Sequence, residues 1–472
     1  MISKKLYLHT IGCQMNVYDS EQIAMQLATV GYEKTDTMDG ADLIIVNTCT
    51  VRAKAEQKAF SLLGRLAKMK RHKKRLIIGV AGCVAQQEGQ RIVDRMPAID
   101  LVLGTQAIDR LPHLIRQIED RRCRIVDVEM VEQPDIPESL IASREPSSVS
   151  KFVTIMQGCD NYCAYCVVPF VRGRETSRKP GSIVHEIRAL VENGVKEVTL
   201  LGQNVNSYGK NQGLCSFTEL LTMINEIKGL LRIRFTTSHP KDLGPDLIMA
   251  FKNMSKLCSH IHLPVQSGSN RVLKRMNRKY TREQYLDKVA ELRDTCPQIA
   301  ITSDIIVGFP GEKETDFEQT LQLVKTVEFE GLFAFQYSDR PPARAVKMPD
   351  KISTSIIRNR LQVILDFQDK LTRSKNQQLV GSTQWVLTDG LSKKEAAGNP
   401  AGSGQALQWT GRTSTNKIVN FYVDESTAEN LNLTGKMVGV HIDKGYSHSL
   451  YGRAINLKPS LRGLKGVENY AA

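Results

Sequence analysis

The sequence predicts an α/β protein with an open parallel α/β sheet first, a partial (β/α)6 barrel second and a small antiparallel OB-like β-barrel last. Three observations support this. Residues 1–120 alternate short apolar runs with helix-like patterns. The same alternation returns with six strand signals over residues 151–376. Five short β segments then follow within residues 377–456.

Composition narrows the functional classes. The chain has 472 residues, of which 41% are hydrophobic and 24% charged, as in ordinary globular proteins. It shows neither a membrane-length apolar run nor a signal-peptide core, so we expect a cytoplasmic protein with no membrane partner. Ten cysteines are too few for a disulfide scaffold. A net charge of +14 favours a polyanionic partner.

In the first unit, three predicted strands each end near a cysteine. The strands cover residues 6–10, 43–47 and 76–80, with helices predicted over 20–30 and 51–69. The cysteines are Cys13, Cys49 and Cys83, and the intervals between them match about one strand–helix unit each. Parallel strands end at one sheet edge, so we expect these thiols to converge there as ligands. The alternative is three buried cysteines acting as small hydrophobic residues.

Two segments flank the third strand and the end of this unit. The basic run Lys68–Arg75 is either a solvated helix end or an RNA contact. Residues 121–150 are acidic toward their end and contain proline and serine, which predicts a linker.

The central unit opens on a second group of cysteines. A strand-like run over 152–155 leads to Cys159, Cys163 and Cys166. Three thiolates bind three irons of a cubane cluster that ordinarily takes four cysteines, which leaves one iron open for a ligand. Zinc is the alternative, but structural zinc takes four ligands and no fourth Cys or His lies nearby in the sequence.

The five further strand signals of this unit cover residues 197–201, 232–236, 260–264, 299–307 and 333–337. Polar and glycine-containing loops follow four of them, at 202–206, 238–240, 266–269 and 308–312. Each loop alone is a weak signal, because these residues also form plain turns. Together they predict a ligand pocket at the carboxyl ends of the strands. We expect His239 and His262 to be hydrogen-bonded residues at strand ends.

Basic residues follow the cysteine loop and the loop at 266–269, and they form either a phosphate-binding rim or a salt-bridged surface. They are Arg172, Arg174, Arg178, Lys179, Arg271, Lys274, Arg275, Arg278 and Lys279.

An amphipathic helix is predicted over residues 358–375, before the last unit. The β segments there cover 383–387, 405–409, 418–423, 437–442 and 449–454, with a flexible loop at 397–404 and a basic tail from 457. Aromatic and basic side chains interleave in these segments, which is typical of nucleic-acid-binding barrels. They are Trp409, Tyr422, Tyr446, Tyr451, Arg412, Lys417, Lys444 and Arg453.

Several motifs together resemble the radical S-adenosylmethionine methylthiotransferases over most of the chain, including a TRAM-like carboxyl-terminal unit. The motifs are Gly12-Cys13-Gln14-Met15-Asn16, Asn47-Thr48-Cys49, Gly82-Cys83, the Cys159–Cys166 triplet with Pro169-Phe170-Val171-Arg172-Gly173-Arg174-Glu175, and Leu200-Leu201-Gly202-Gln203-Asn204-Val205-Asn206. The first and last of these are most similar to the branch that acts on tRNA.

The resemblance implies two [4Fe–4S] clusters and S-adenosylmethionine as co-substrate. Cys159, Cys163 and Cys166 would hold the cluster that cleaves S-adenosylmethionine, and Cys13, Cys49 and Cys83 an auxiliary cluster. The pocket for S-adenosylmethionine would use Tyr165, Gly202, Gln203, Asn204, Ser238, Gln266 and Gly308. The implied reaction places a methylthio group at C2 of N6-isopentenyladenosine next to the anticodon. It implies as partners a tRNA anticodon stem-loop, an external electron donor and a sulfur source, and we expect a monomer.

Three other functions compete with this interpretation. Methylthiolation of a ribosomal-protein aspartate uses a similar architecture. A non-catalytic iron–sulfur carrier or RNA sensor is disfavoured, because carriers usually have saturated clusters. Isopentenyl addition is disfavoured because no P-loop motif is present. One departure from the family pattern is Tyr337-Ser338-Asp339-Arg340-Pro341-Pro342-Ala343-Arg344, where a Gly-Thr pair is usual.

Overall fold

The computed structural model describes residues 3–50, 53–131, 148–392, 407–423 and 432–456. Most of the predicted linker, the loop at 397–404 and the tail from 457 therefore lie outside the described residues. Within the described ranges, every helix is too short or too polar to cross a membrane.

The first unit is a parallel sheet of six strands with helices on both faces. Its strands are β1 (Lys4–Ile11), β2 (Tyr32–Lys34), β3 (Leu43–Thr48), β4 (Ile77–Gly82), β5 (Leu101–Leu103) and β6 (Ile125–Asp127). Its helices are α1 (Gln14–Ala28), α2 (Ala53–His72), α3 (Cys83–Glu88), α4 (Gln90–Arg95) and α5 (Leu111–Arg121). The strand order is β2-β1-β3-β4-β5-β6. Every residue of β3 and β4 is buried, as expected for a parallel sheet covered on both sides.

The three strands that end near cysteines are neighbours in this sheet. β3 pairs in parallel with both β1 and β4. The predicted convergence of the three strand ends at one edge is therefore confirmed. The predicted start of α1 at Ser20 was wrong, since the helix begins at Gln14. Asn16 and Asp19 are buried polar residues in its first turns, and they obscure the apolar periodicity there.

The basic run has structural uses. It includes the last turn of α2, where cations complement the helix dipole. Lys70 forms an ion pair with Asp100, and Lys73 Nζ donates to the carbonyl oxygen of Ala41 at 2.5 Å. These contacts favour the helix-end interpretation for the two lysines.

The central unit is an open barrel of six parallel strands. They form two sheets, β11-β10-β7 and β12-β13-β14, joined by an isolated bridge from Ile233 to Leu257. The strands are β7 (Ser150–Thr154), β10 (Glu197–Leu201), β11 (Arg232–Phe235), β12 (His260–His262), β13 (Ala300–Val307) and β14 (Gly331–Gln336), with a short ribbon of β8 (Met156–Gln157) and β9 (Thr176–Ser177). The helices are α6 (Val168–Val171), α7 (Pro180–Glu192), α8 (Phe217–Asn225), α9 (Pro245–Asn253), α10 (Asn270–Arg275), α11 (Arg282–Thr295), α12 (Glu314–Val327) and α13 (Thr354–Gln377).

The last unit is a closed five-stranded barrel, consistent with a TRAM-like domain. Its strands are β15 (Thr383–Leu391), β16 (Gln408–Thr413), β17 (Ile418–Tyr422), β18 (Met437–Gly445) and β19 (Leu450–Asn456). The prediction of a purely antiparallel barrel needs correction, because β17 and β19 pair in parallel. β19 is antiparallel to β18, so its pairing with β17 closes the barrel and removes both edges. Trp409 is buried in the core, whereas Tyr446 is exposed.

Two arginines dock this barrel onto the central unit. Arg232 Nη1 donates to the carbonyl oxygen of Arg412 at 2.6 Å, and Arg234 Nη2 donates to that of Thr413 at 2.6 Å. Arg234 also forms a buried ion pair with Glu197 at 3.0 Å. Glu197 is the first residue of β10 and Arg232 is the first residue of β11, with Arg234 two positions further along. The small barrel therefore sits at the amino ends of these strands, away from the cysteine loops.

We predict that Arg234→Ala destabilises the apo chain by about 3–5 kcal/mol, because Glu197 is left buried without its cation. Urea unfolding measures the change. The control is Arg453→Ala on the small barrel, whose side chain is 64% exposed and 4.0 Å from Asp443. It should change stability by less than about 0.5 kcal/mol. Equal effects of the two substitutions would contradict the docking role.

Candidate functional site

The first cysteine trio is Cys13, Cys49 and Cys83, at the ends of three adjacent strands. Cys13 caps α1, Cys49 follows β3 and Cys83 begins α3. A hydrogen bond with Cys49 lowers the pKa of Cys13 to about 6, although burial opposes the shift. A side chain at Gly12 would place its Cβ 2.9 Å from the Cβ of Cys49. The absence of a side chain there permits the close approach of the two cysteine loops.

Two asparagines hold the first trio's loops together. Asn16 Nδ2 donates to Asn47 Oδ1 at 3.0 Å, and Asn47 Nδ2 donates to the carbonyl oxygen of Asn16 at 2.9 Å. The thiol of Cys13 donates to Asn16 Oδ1 at 3.3 Å. Gly82, at φ +89°, lies so close that a Cβ would be 2.3 Å from Asn47 Oδ1. These contacts explain the asparagines in the motifs around Cys13 and Cys49.

The second trio is Cys159, Cys163 and Cys166 in the loop after β8. Burial raises the pKa of Cys159 to about 11 and that of Cys166 to about 12. Asn161 Nδ2 donates to the sulfur of Cys159 at 3.4 Å, and Arg278 Nη1 to that of Cys163 at 3.5 Å. Buried thiols ionise when a metal compensates their charge, and such donors stabilise the thiolate form. The donor set therefore fits a metal cluster.

Neither trio is completed by a fourth protein ligand in the described ranges. No group of three or more His, Cys, Asp or Glu side chains there is arranged to hold a single metal ion. A structural zinc site takes four protein ligands, so neither trio on its own meets the requirement of the zinc alternative.

Arg172 connects the two trios. It follows α6, just beyond the second trio, yet its buried guanidinium donates to Asp19 Oδ2 on α1 at 2.6 Å. Burial raises the pKa of Cys83, while the Arg172 guanidinium acts in the opposite direction through its charge and a hydrogen bond. Of the two alternatives for this arginine, the ion-paired one is therefore correct, and the phosphate-binding rim is not. Its positive charge serves the first trio instead.

Packing confirms the proximity of the two loops. Cys83 forms a small buried cluster with Val167 and Val171, and Val167 directly follows Cys166. Thr105 Oγ1 in the first unit donates to the carbonyl oxygen of Val171 at 2.6 Å. The two trios thus face one region, between the carboxyl edge of the first sheet and the mouth of the open barrel.

Several predicted pocket residues present buried polar atoms that have no hydrogen-bond partner among the described residues. These atoms are Asn204 Oδ1, Ser238 Oγ and Gln266 Oε1. Gln157 Nε2, His239 Nε2 and both side-chain polar atoms of Asn206 share this property. Asn206 and His239 lie in two of the predicted pocket loops, whereas Gln157 lies outside them. Buried polar atoms normally have partners, so their accumulation at successive strand ends is what a ligand pocket is expected to show. The atoms include both donors and acceptors, which fits a zwitterionic ligand such as S-adenosylmethionine.

The other predicted pocket residues shape the loops. Gln203 Oε1 accepts from the backbone N–H of Gly158 at 2.6 Å, which ties two loops together. Gly202 leaves room for Met156, and the backbone N–H of Gly308 donates to Glu312 Oε2 at 2.7 Å. Tyr165 is half-buried, and its hydroxyl accepts from Arg278 at 3.4 Å.

Three of the other predicted rim arginines form ion pairs. Arg178 is buried with Glu186 at 2.6 Å, Arg271 pairs with Asp316, and the 64% exposed Arg174 lies 3.5 Å from Asp160. The salt-bridged alternative is therefore correct for these three residues. Arg278 is instead buried, where it donates to the sulfur of Cys163 and to the carbonyl oxygen of Pro264.

One carboxyl group with a raised pKa lies close to the second trio. Burial raises the pKa of Glu175 to about 7, although Ser207 Oγ donates to its Oε2 at 2.7 Å and opposes the shift. Glu175 is therefore partly protonated near neutral pH. No local sequence pattern predicts this property, because it depends on how the loops close around the side chain.

Comparison with known proteins agrees with this geometry. Residues 5–104 match the uncharacterized protein family UPF0004, and residues 153–324 match the radical SAM superfamily. A tRNA-2-methylthio-N(6)-dimethylallyladenosine synthase of Desulfosudis oleivorans is 51% identical, over 98% of this chain and 99% of the relative. One of Syntrophus aciditrophicus is 50% identical, over 96% and 95%. This chain belongs to that synthase family.

The fold of the family member also resembles a solved structure. The radical S-adenosylmethionine methyltransferase TsrM of Kitasatospora setae aligns with a TM-score of 0.54 at 15% identity, over 73% of this chain and 74% of TsrM. At this identity the likeness concerns the fold alone. It supports the α/β architecture.

We predict that Arg172→Gln destabilises the apo chain by about 3–5 kcal/mol, because Asp19 loses its buried cation. The matched control is Arg174→Gln, two residues away and exposed, with an expected change below about 0.5 kcal/mol. Urea unfolding of both variants measures the difference. A stability of Arg172→Gln equal to that of the control would show that the bridge does not join the two units.

Proposed function

We propose that this chain is a radical S-adenosylmethionine enzyme that adds a methylthio group at C2 of N6-dimethylallyladenosine in tRNA, next to the anticodon. The observation that supports this proposal most directly is that two groups of three cysteines lie close together, beside buried polar atoms that have no hydrogen-bond partner among the described residues. Membership of the synthase family supports the tRNA substrate over a ribosomal-protein aspartate. The exposed side chains of Lys444, Tyr446 and Arg453 on the small barrel are consistent with an RNA partner.

We assign two [4Fe–4S] clusters to the six cysteines. Cys159, Cys163 and Cys166 would hold the cluster that binds S-adenosylmethionine, and Cys13, Cys49 and Cys83 the auxiliary cluster. When bound, the cluster of the second trio together with S-adenosylmethionine supplies one-electron cleavage of a sulfonium bond. This cleavage yields a carbon-centred radical able to activate C2–H. The protein's own contribution is to bind, orient and shield the reactants.

The roles of the chain's residues follow from their contacts. Asn161 and Arg278 donate to sulfurs of the second trio, and Arg172 brings a positive charge to the first. These donors stabilise thiolates in a buried setting. Asn204, Ser238 and Gln266 offer the polar atoms that would orient S-adenosylmethionine.

We further propose the division into residues 1–120, 121–150, 151–376, 377–456 and 457–472, with the first boundary corrected to residue 127 because β6 (Ile125–Asp127) belongs to the first sheet. We also propose that the small barrel contacts the tRNA. The reaction needs an external electron donor and a sulfur source. We place the protein in the cytoplasm with its tRNA substrate and propose that it acts as a monomer.

Complementation tests the proposed function. In a bacterial strain without its own synthase, expression of this chain should restore 2-methylthio-N6-dimethylallyladenosine, measured by mass spectrometry of tRNA nucleosides. A matched Cys163→Ala variant should leave N6-dimethylallyladenosine unconverted, because its cluster loses a ligand. Iron-loaded wild-type protein that leaves tRNA unconverted would contradict the proposal.

Iron and labile-sulfide analysis tests the two cluster assignments separately. Replacing all three cysteines of either trio by alanine should remove about half of the iron after anaerobic reconstitution, because each trio holds one of two clusters. Alanine at Cys215 and Cys258, which lie outside both trios, should leave the iron content unchanged. Full iron retention by the Cys13, Cys49 and Cys83 variant would reject the auxiliary cluster.

A further inference from the structure

The second half of the open barrel has an inner face that the residues described above do not use. Along β13, Ile301 and Ile305 point outward into the helix-covered core, so Asp304 and Ile306 point to the barrel interior. Asp304 pairs in register with Phe333 of β14, and Ile306 pairs with Phe335. Paired residues of neighbouring strands share a face, so both phenylalanines line the interior.

These two side chains, the aromatic wall, are unusually exposed. Phe333 is 53% exposed and Phe335 is 37% exposed. The outer face of the same strand is covered, since Leu332 and Ala334 pack against the main core. Two adjacent exposed aromatic rings inside a barrel form an apolar patch of the kind that marks a ligand site.

The wall runs inward from the second cysteine trio. Ile306, beside Phe335, packs in the same small cluster as Tyr165, which precedes Cys166. Deeper in, the ring of His262 meets Phe333 edge-on, with centroids 5.9 Å apart. His262 Nε2 lies 3.5 Å from Asp304 Oδ1. The wall is thus apolar near the mouth, with a polar pair at its inner end.

We propose that Phe333 and Phe335 of the aromatic wall bind the dimethylallyl group on N6 of the target adenosine and are the side chains that discriminate it from an unmodified adenosine. This inference rests on the proposed function. A branched five-carbon group is apolar and fits flat aromatic faces, whereas an unmodified adenine would leave the wall exposed to water.

Binding without turnover tests the proposal. The full chain, anaerobically reconstituted with iron and sulfide, is mixed with S-adenosylmethionine but no reductant. Fluorescence anisotropy gives Kd for two anticodon stem-loops that differ only in the dimethylallyl group. The wild type should prefer the dimethylallyl loop. Phe333→Ala and Phe335→Ala should each weaken binding of that loop about tenfold and change binding of the unmodified loop less than about twofold.

Two further variants control for general effects. Met223→Ala removes an apolar side chain that is 41% exposed on α8 and should keep the wild-type preference. Phe333→Leu keeps an apolar surface and should retain most of the preference. Iron content and binding of labelled S-adenosylmethionine, both unchanged in the alanine variants, would verify that the cluster loops are intact.

Two results would overturn the proposal. One is an unchanged ratio of the two Kd values in both alanine variants. The other is an equal loss of S-adenosylmethionine binding, which would assign the wall to the co-substrate. Failure of the proposed function is a separate result, because wild-type protein given reductant would then form no methylthio product from the dimethylallyl loop.

Discussion

The arrangement depends on one buried ion pair between two units of the chain. Arg172 leaves the loop of the second cysteine trio and reaches Asp19 on the first helix. A buried guanidinium is costly without a partner, so the bridge fixes where the two units meet. Val167 and Val171, which precede Arg172 in the sequence, pack against Cys83. Through this contact, two cysteine sites distant in sequence face a common region.

The opposite ends of the central strands serve another purpose. Arg232 and Arg234 use their guanidinium groups to bind backbone carbonyl oxygens of the small barrel. The contacts with the small barrel thus lie near the amino ends of the central strands. The cysteine loops and the unpartnered polar atoms lie at the carboxyl ends. If the small barrel binds the tRNA as proposed, the RNA must also extend past the central unit to place a base in the open barrel. A flipped-out nucleotide in a loop is suited to such a reach.

The sequence predicted the parts with strong local signals. Strands β1, β3 and β4 and their cysteines were evident from apolar runs and spacing, and their shared edge followed from parallel topology. Short strands such as β2 and β6 were missed, because three residues carry little periodicity. The role of Arg172 stayed open between two alternatives, because an arginine beside a metal loop has the same local sequence whether it faces solvent or a buried aspartate. The exposure of Phe333 could not be predicted from the sequence either, because it depends on how β14 pairs with β13 in the barrel.

The central claim is that the two cysteine sites share one region. The most direct test is the magnetic interaction between the two reduced clusters in reconstituted protein, measured by electron paramagnetic resonance. The wild-type spectrum should show spin coupling that is lost when either trio is replaced by alanine. A wild-type spectrum equal to the sum of the two single-cluster spectra would contradict the account.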